Sequence, residues 1–241
     1  MSTAETPVVS ILTPTWQRHE TLFERCIPSV LAQAWPDIEH VIVSDGPDDA
    51  LPGLLFEYAS TMGMTACGGG LIISRDDAGD VAGYGLRPAP GRTVTFRYAQ
   101  LPGHEPALHW GSPARKHGAS IATGELIAYC DDDDALRPQH VELLARAILD
   151  NPGTGWACSR MTSHLASGEA VIGHGQLGFG NVGTPMLMHR AALLETANWD
   201  VSAPGEDWEI VSRWLGAGAR YVRVDAETVD VWPSAYHNGK L

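Results

Sequence analysis

A chain of 241 residues, 44% hydrophobic and 19% charged, suits one sizeable domain and can bury a substantial core without staples. Its 16 Lys and Arg against 29 Asp and Glu give a formal net charge of -13. That excludes general nucleic-acid binding and attraction to an anionic membrane as main roles, because both need a basic footprint.

Val8 to Thr13 is short, apolar and β-branched, and Pro14 ends it, so it reads as a buried strand. From Glu20 to Ala34 apolar residues recur at helical spacing, with Pro28 predicting a kink or break. His40 to Ser44 is a second strand, ending at Asp45-Gly46-Pro47, and Leu51 to Met62 a second helix with Asp49 as its cap. Cys67 to Arg92 is rich in Gly, Asp and Pro and reads as a long insertion or loop. Thr93 to Tyr98 is a strand, and Pro113 to Thr123 a helix closed by Gly124. Leu126 to Cys130 is a buried strand running straight into Asp131, Asp132, Asp133 and Asp134. Pro138 to Asp150 is a helix with Pro138 at its first position and Asn151-Pro152-Gly153 as its stop. Further on, Gly155 to Met161, Ala170 to Gly173 and Met186 to His189 read as strands, and Arg190 to Asn198 as a short helix. Glu206 to Leu215 is a firmer helix with Trp208, Val211, Trp214 and Leu215 on one face, followed by strand-like runs at Arg220 to Val224 and Thr228 to Val231.

None of Cys26, Cys67, Cys130 and Cys158 forms a Cys-x-x-Cys pair, so neither a zinc knuckle nor a thioredoxin-like site is expected. Met1 to Pro7 lacks the regions of a signal peptide, and no apolar run approaches the roughly 18 residues of a membrane span. These features predict a cytoplasmic protein with free thiols and no integral membrane segment.

Strand and helix alternate through the first half, which predicts an α/β fold with a mostly parallel sheet. Ligands bind such sheets outside the carboxyl ends of the strands. Thr13-Pro14-Thr15, Asp45-Gly46 and Asp131 to Asp134 each follow a strand, so they are expected to converge on one crevice. Along an extended strand end, Asp131 and Asp133 would share one side, and Asp132 and Asp134 the other. Carboxylates this close repel unless a cation lies between them. A hard ion such as Mg2+ or Mn2+ fits, completing its shell with water and phosphate oxygens. The competing reading is a solvated acidic turn favouring the next helix dipole. A helix start at Pro138 puts the aspartates upstream of the first turn, which weakens it.

These residues, taken in order, resemble the family 2 glycosyltransferases of the GT-A fold. The matching stretches are Val9 to Thr15 with Arg18, Ser29 to Gln33, Val43 to Gly46, Ala114 to Gly118, Ala122 to Glu125, Ile127 to Asp134 and Gly205 to Trp208. The resemblance covers nearly the whole chain and implies one GT-A domain over residues 1–241. About 1–137 would bind the nucleotide sugar, and about 138–241 would carry the acceptor and catalytic part. It implies helices on both faces of the sheet.

The resemblance also implies roles. Thr13, Pro14, Thr15 and Asp45 would line the nucleoside pocket, with Arg18 and Arg115 beside it. Asp131 would lie near the ribose with Asp132, and Asp133 would bind Mn2+ or Mg2+, with His237 completing the metal shell. Asp207 would be the catalytic base, although it is also placed to cap its helix. Glu206 and Trp208 are candidates to touch acceptor or donor sugar, while Trp208 also fits a buried helix face. The partners implied are a nucleotide-sugar donor, UDP-linked by preference, and a hydroxyl-bearing acceptor; a homodimer is compatible. The activity implied is hexosyl or N-acetylhexosaminyl transfer with inversion. The alternatives are a retaining or natural-product-tailoring transferase of the same fold, or an inactive nucleotide-sugar-binding protein. Lys116-His117 departs from the family's usual Arg-Asn pairing. Two motif matches are decoys: Gly173 to Gly178 fits G-x-G-x-x-G but no helix is expected after it, and His104-Glu105 with His109 misses zinc-protease spacing by one residue.

Overall fold

The computed structural model describes residues 6–61, 74–76, 79–86, 93–104, 111–199 and 205–232, with 74–76 and 79–86 described as backbone. The chain runs β1 (Val9–Thr15), α1 (His19–Thr21), a π-helical turn at Leu22–Cys26, α2 (Ile27–Leu31), β2 (Asp37–Ser44) and α3 (Leu51–Thr61). It continues through β3 (Ser74–Asp76), β4 (Gly79–Leu86), β5 (Thr93–Gln100), α4 (Ser112–Ile121), β6 (Leu126–Tyr129), β7 (Ala135–Leu136) and α5 (His140–Leu149). It ends with β8 (Thr154–Leu165), β9 (Gly168–Ile172), β10 (Leu187–Arg190), a 3-10 turn at Ala191–Glu195, α6 (Glu206–Gly216) and β11 (Arg220–Val231).

The sheet order is β3-β4-β5-β2-β1-β6-β10-β8-β11-β7, with β9 beside β8. β1 pairs in parallel with β2 and β6, and β2 with β5, so these four strands end on the same edge. β10 joins β6 and β8 antiparallel, while β8 and β11 are parallel. Alternate residues of the central strands feed two cores. Val9, Ile11, Ile42 and Ala128 pack with Val30 of α2, Leu55 of α3 and Leu144 of α5. Leu12, Val41, Val43, Ile127 and Tyr129 pack with Ala114 of α4 and with Ile210 and Trp214 of α6. Helices therefore cover both faces, as expected of an apolar strand buried on both sides.

Several boundaries differ from the sequence reading, each for a local reason. Pro28 does not break its helix. The Ile27 amide bonds the Leu22 carbonyl five residues back, and this wider turn places Pro28 in the first turn of α2, where a missing N–H is tolerated. Asp48, not Asp49, caps α3, its Oδ1 accepting from the Leu51 amide at 3.1 Å. α5 starts at His140, because the Pro138 carbonyl accepts instead from the Ala34 amide at 2.9 Å. Part of the 67–92 stretch forms β3 and β4, which pair with each other and extend the sheet beyond β5. The two runs after Arg220 are one strand, with register shifts between Arg223 and Val229. Among the described residues no helix is long and apolar enough to cross a membrane, and Cys26, Cys130 and Cys158 are buried free thiols.

Candidate active site

β6 delivers the aspartates to the rim, where the Asp134 amide bonds the Asp131 carbonyl at 3.1 Å. The segment is a turn, which corrects the extended strand end expected here. Exposure still alternates, with Asp132 and Asp134 buried and Asp131 and Asp133 half-buried. The turn lets Arg18 span two of them, its Nη1 lying 2.6 Å from Asp133 Oδ2 and 3.2 Å from Asp132 Oδ1. Burial pushes the Asp132 carboxyl up to about 7, against the pull of Arg18. Burial also raises Asp133 and Asp134, with the neighbouring carboxylates adding to it. The Trp232 amide bonds Asp134, tying the end of β11 to the turn.

Arg115 joins this turn to α6. α4 packs close over β1 and β2, since a Cβ on Gly118 would lie 3.3 Å from Val43 Cγ2. That closeness sinks Arg115 to 4% exposure. Its Nη2 lies 2.6 Å from Asp131 Oδ1, and its Nη1 bonds Glu206, which also accepts from Ser112 Oγ. The guanidinium rests 5.3 Å from the Trp199 ring. Burial pushes Glu206 up to about 7, opposed by Arg115. α6 opens at Gly205 with φ 67°, a left-handed conformation that makes Gly205 the cap. Asp207 is thus inside the first turn rather than the cap. Its Oδ1 accepts from the Trp208 amide at 2.7 Å, and burial raises its pKa. Trp208 is half-buried and packs against the core on its side of the sheet.

The other end of the rim follows β1 and β2. The Thr13 hydroxyl turns inward, 2.8 Å from His40 Nε2 and 3.4 Å from Cys26 Sγ, so only the Thr13 backbone can contribute to a pocket. Pro14 faces the start of α4, where a Cβ on Gly111 would lie 2.9 Å away. Thr15 is buried beside Asp132. Asp45 is 9% exposed, and its amide bonds the Thr15 carbonyl at 2.8 Å. Trp16 stacks on His104 with ring centroids 4.4 Å apart and planes at 11°. His104 Nδ1–H donates to the Asp45 carbonyl at 2.9 Å and faces Asp45 Oδ2 at 3.2 Å. Trp16, His104 and Ser112 were not singled out as site residues from the sequence. An aromatic directly after a strand end was a signal for Trp16; for Ser112 there was none.

Beneath the rim, Trp199 Nε1–H donates to Tyr129 Oη at 3.1 Å, and Tyr129 donates to His189 Nε2 at 2.7 Å. His189 Nδ1–H ends the chain on the Arg190 carbonyl at 2.8 Å, which fixes a neutral imidazole under β6. For a cation, the rim offers hard carboxylate oxygens. Among the described residues no three His, Cys, Asp or Glu side chains converge as a closed cage. Asp131 and Asp133 are paired with Arg115 and Arg18, so an ion at the rim would share a carboxylate with an arginine and take its other ligands from water or phosphate oxygens. His237 lies outside the described residues.

This mixed α/β sheet, with acids and arginines gathered where its parallel strands end, has the GT-A fold. S. aureus TarS superposes with a TM-score of 0.64 at 15% identity, over 94% of this chain and 37% of that one. TarS 1-349 in complex with UDP-GlcNAc gives 0.63 at 16%, over 94% and 58%. The mannosyltransferase PcManGT of Pyrobaculum calidifontis, in complex with GDP-Man and Mn2+, gives 0.61 at 15%, over 98% and 59%. The model of Glycosyl transferase family 2 matches residues 10–76 and 105–193, more than half of the chain. The chain belongs to glycosyl transferase family 2. It is also 27% identical over 146 residues to the Bacillus subtilis protein EpsH, a glycosyltransferase by name, covering 61% of this chain and 32% of EpsH. The chain thus spans about a third of that relative's length.

Proposed function

We propose that the chain moves a sugar from a nucleotide-diphosphate sugar, UDP-linked by preference, to an acceptor hydroxyl with inversion, within a single domain spanning 1–241. The observation that carries this reading is Arg115. One guanidinium touches both Asp131 at the aspartate turn and Glu206 at the start of α6. A donor held at the turn would thereby lie within a side chain's reach of Asp207. The complexes of TarS with UDP-GlcNAc and of PcManGT with GDP-Man support the donor class.

In the reaction the acceptor oxygen bonds the anomeric carbon as the bond to the diphosphate breaks. Asp207 takes the hydroxyl proton, and a pKa raised by burial makes it a better acceptor of that proton. Asp45 and the backbone of Thr13 to Thr15 hold the nucleoside. Asp131 lies near the ribose, and Asp133 would hold Mn2+ or Mg2+ with His237 as a further ligand; such an ion would neutralise charge developing on the diphosphate. Arg115 keeps Asp131 and Glu206 in register, and Glu206 and Trp208 border the sugar.

The test is UDP release and product analysis with UDP-glucose and UDP-GlcNAc, Mn2+ and a panel of sugar acceptors, with EDTA as the control. Transfer should vanish in EDTA. Asp207→Asn should lose about 10²–10⁴-fold in turnover while keeping UDP affinity. Normal turnover by this variant would remove Asp207 from the chemistry. A product retaining the donor's anomeric configuration would make the enzyme retaining, and nucleotide binding without any turnover would make it a binding protein.

A further inference from the structure

We infer that His104 stands in the nucleobase slot, and that the donor's base enters by displacing it. This rests on reading the Asp45 end of the rim as the nucleoside site. A bound base needs an aromatic face to lie on and a partner for its ring N–H. His104 already takes one of each. Its ring is near parallel to Trp16 at 4.4 Å and 11°, and its Nδ1–H points at the Asp45 carbonyl and Oδ2 at 2.9 and 3.2 Å. A flat heteroaromatic ring with a ring N–H donor is what uracil or guanine would bring to the same two groups. The slot is closely bounded. A Cβ added to Gly46 would lie 2.5 Å from Trp16 Cζ3 and 2.9 Å from His104 Cβ.

The attachment of His104 permits release. Leu101 is pinned by its amide to the Ser44 carbonyl at 2.9 Å, so β5 stays in place. Pro102 and Gly103 are exposed, and among the described residues no heavy atom beyond its chain neighbours lies within 4 Å of where a Gly103 Cβ would be. The imidazole can swing away without repacking the sheet. A nucleotide then binds only the fraction of molecules in which the slot is open, and its apparent affinity is weakened by that fraction.

The experiment is calorimetric titration of UDP, and separately GDP, into the wild type, His104→Ala and His104→Phe, with Mn2+ present. His104→Ala should bind the preferred nucleotide about 3–10-fold more tightly, because the competing side chain is gone. His104→Phe, which can stack but cannot donate to Asp45, should fall between. Addition of UDP to the wild type should also move the His104 ring-proton NMR signals out of the shielding zone of Trp16. If His104→Ala binds equally or more weakly with an unchanged melting temperature, His104 supports the base and the inference fails while the nucleotide site stands. If neither nucleotide binds the wild type or either variant, the nucleotide-site reading fails and takes this inference with it. Should the alanine variant not fold, the phenylalanine variant and the wild-type NMR shift decide the matter.

Discussion

Arg115 illustrates how much one side chain can fix. At 4% exposure it meets two carboxylates from segments far apart in sequence. A planar fork can serve both at once, whereas an ammonium is a single point charge. Arg115→Lys should therefore lower turnover by on the order of 10²-fold through misplacement of Asp131 and Glu206, with a smaller change in UDP affinity. Arg115→Met leaves the buried Glu206 and the half-buried Asp131 uncompensated and should cost about 3–5 kcal/mol, read from urea denaturation. The family resemblance named Arg115, whereas the aspartates stood out by themselves, because a run of carboxylates after an apolar strand demands a cation whatever the fold. It put Thr13 in the pocket, but the Thr13 hydroxyl faces His40 and Cys26, since the direction of one side chain depends on neighbours from other strands. His104 was out of reach for the same reason: its partners Trp16 and Asp45 lie on two other loops.

At the scale of elements, the central strands were legible because they are continuous apolar runs, buried on both faces. β11 was split in two because Asp225 to Glu227 interrupt its apolar pattern at a register shift. The loop into β6 shows what the resemblance at Ala122 to Glu125 does physically. Ser10 Oγ bonds Glu39 Oε2 at 2.5 Å, Glu39 also accepts from the Thr123 amide at 2.7 Å, and Ser10 Oγ accepts from the Gly124 amide at 2.8 Å. These bonds clamp β1, β2 and β6 at one end, so that their other ends meet at the rim. A Cβ on Gly124 would sit 2.6 Å from the Ser10 amide nitrogen, a backbone atom that cannot swing aside. Gly124→Ala should therefore destabilise the chain by about 1–3 kcal/mol in a urea titration, as overpacking does. A neutral result would mean the three-strand clamp is looser than these contacts imply.

Across the whole molecule, buried titratable groups of two kinds set the response to acid, and they act in opposite directions. His140 and His189 are held neutral by burial, with pKa values lowered from 6.5 to about 3 and about 4. As pH falls below 6.5 the unfolded chain takes up protons at these positions and the folded chain does not, so stability is lost. Asp132 and Glu206 are raised by burial from 3.8 and 4.5 to about 7 in each case. Below 7 the folded chain takes up these protons first, so stability is gained until the unfolded carboxylates titrate. Asp133, Asp134 and Asp207 are raised in the same sense as Asp132 and Glu206, and each of His140, His189, Asp132 and Glu206 shifts stability by about 2 kcal/mol between pH 6.5 and 5. Substitutions at the two kinds of group should therefore tilt the urea midpoint in opposite senses over that window. Glu206→Gln removes a group that stabilises on acidification, so this variant should lose stability relative to the wild type from pH 6.5 to 5. His189→Gln removes one that destabilises, so it should gain on the wild type over the same range. The pH dependence distinguishes this from a packing defect, which would offset each variant equally at both pH values. Parallel curves for both variants would show that neither burial controls the acid response.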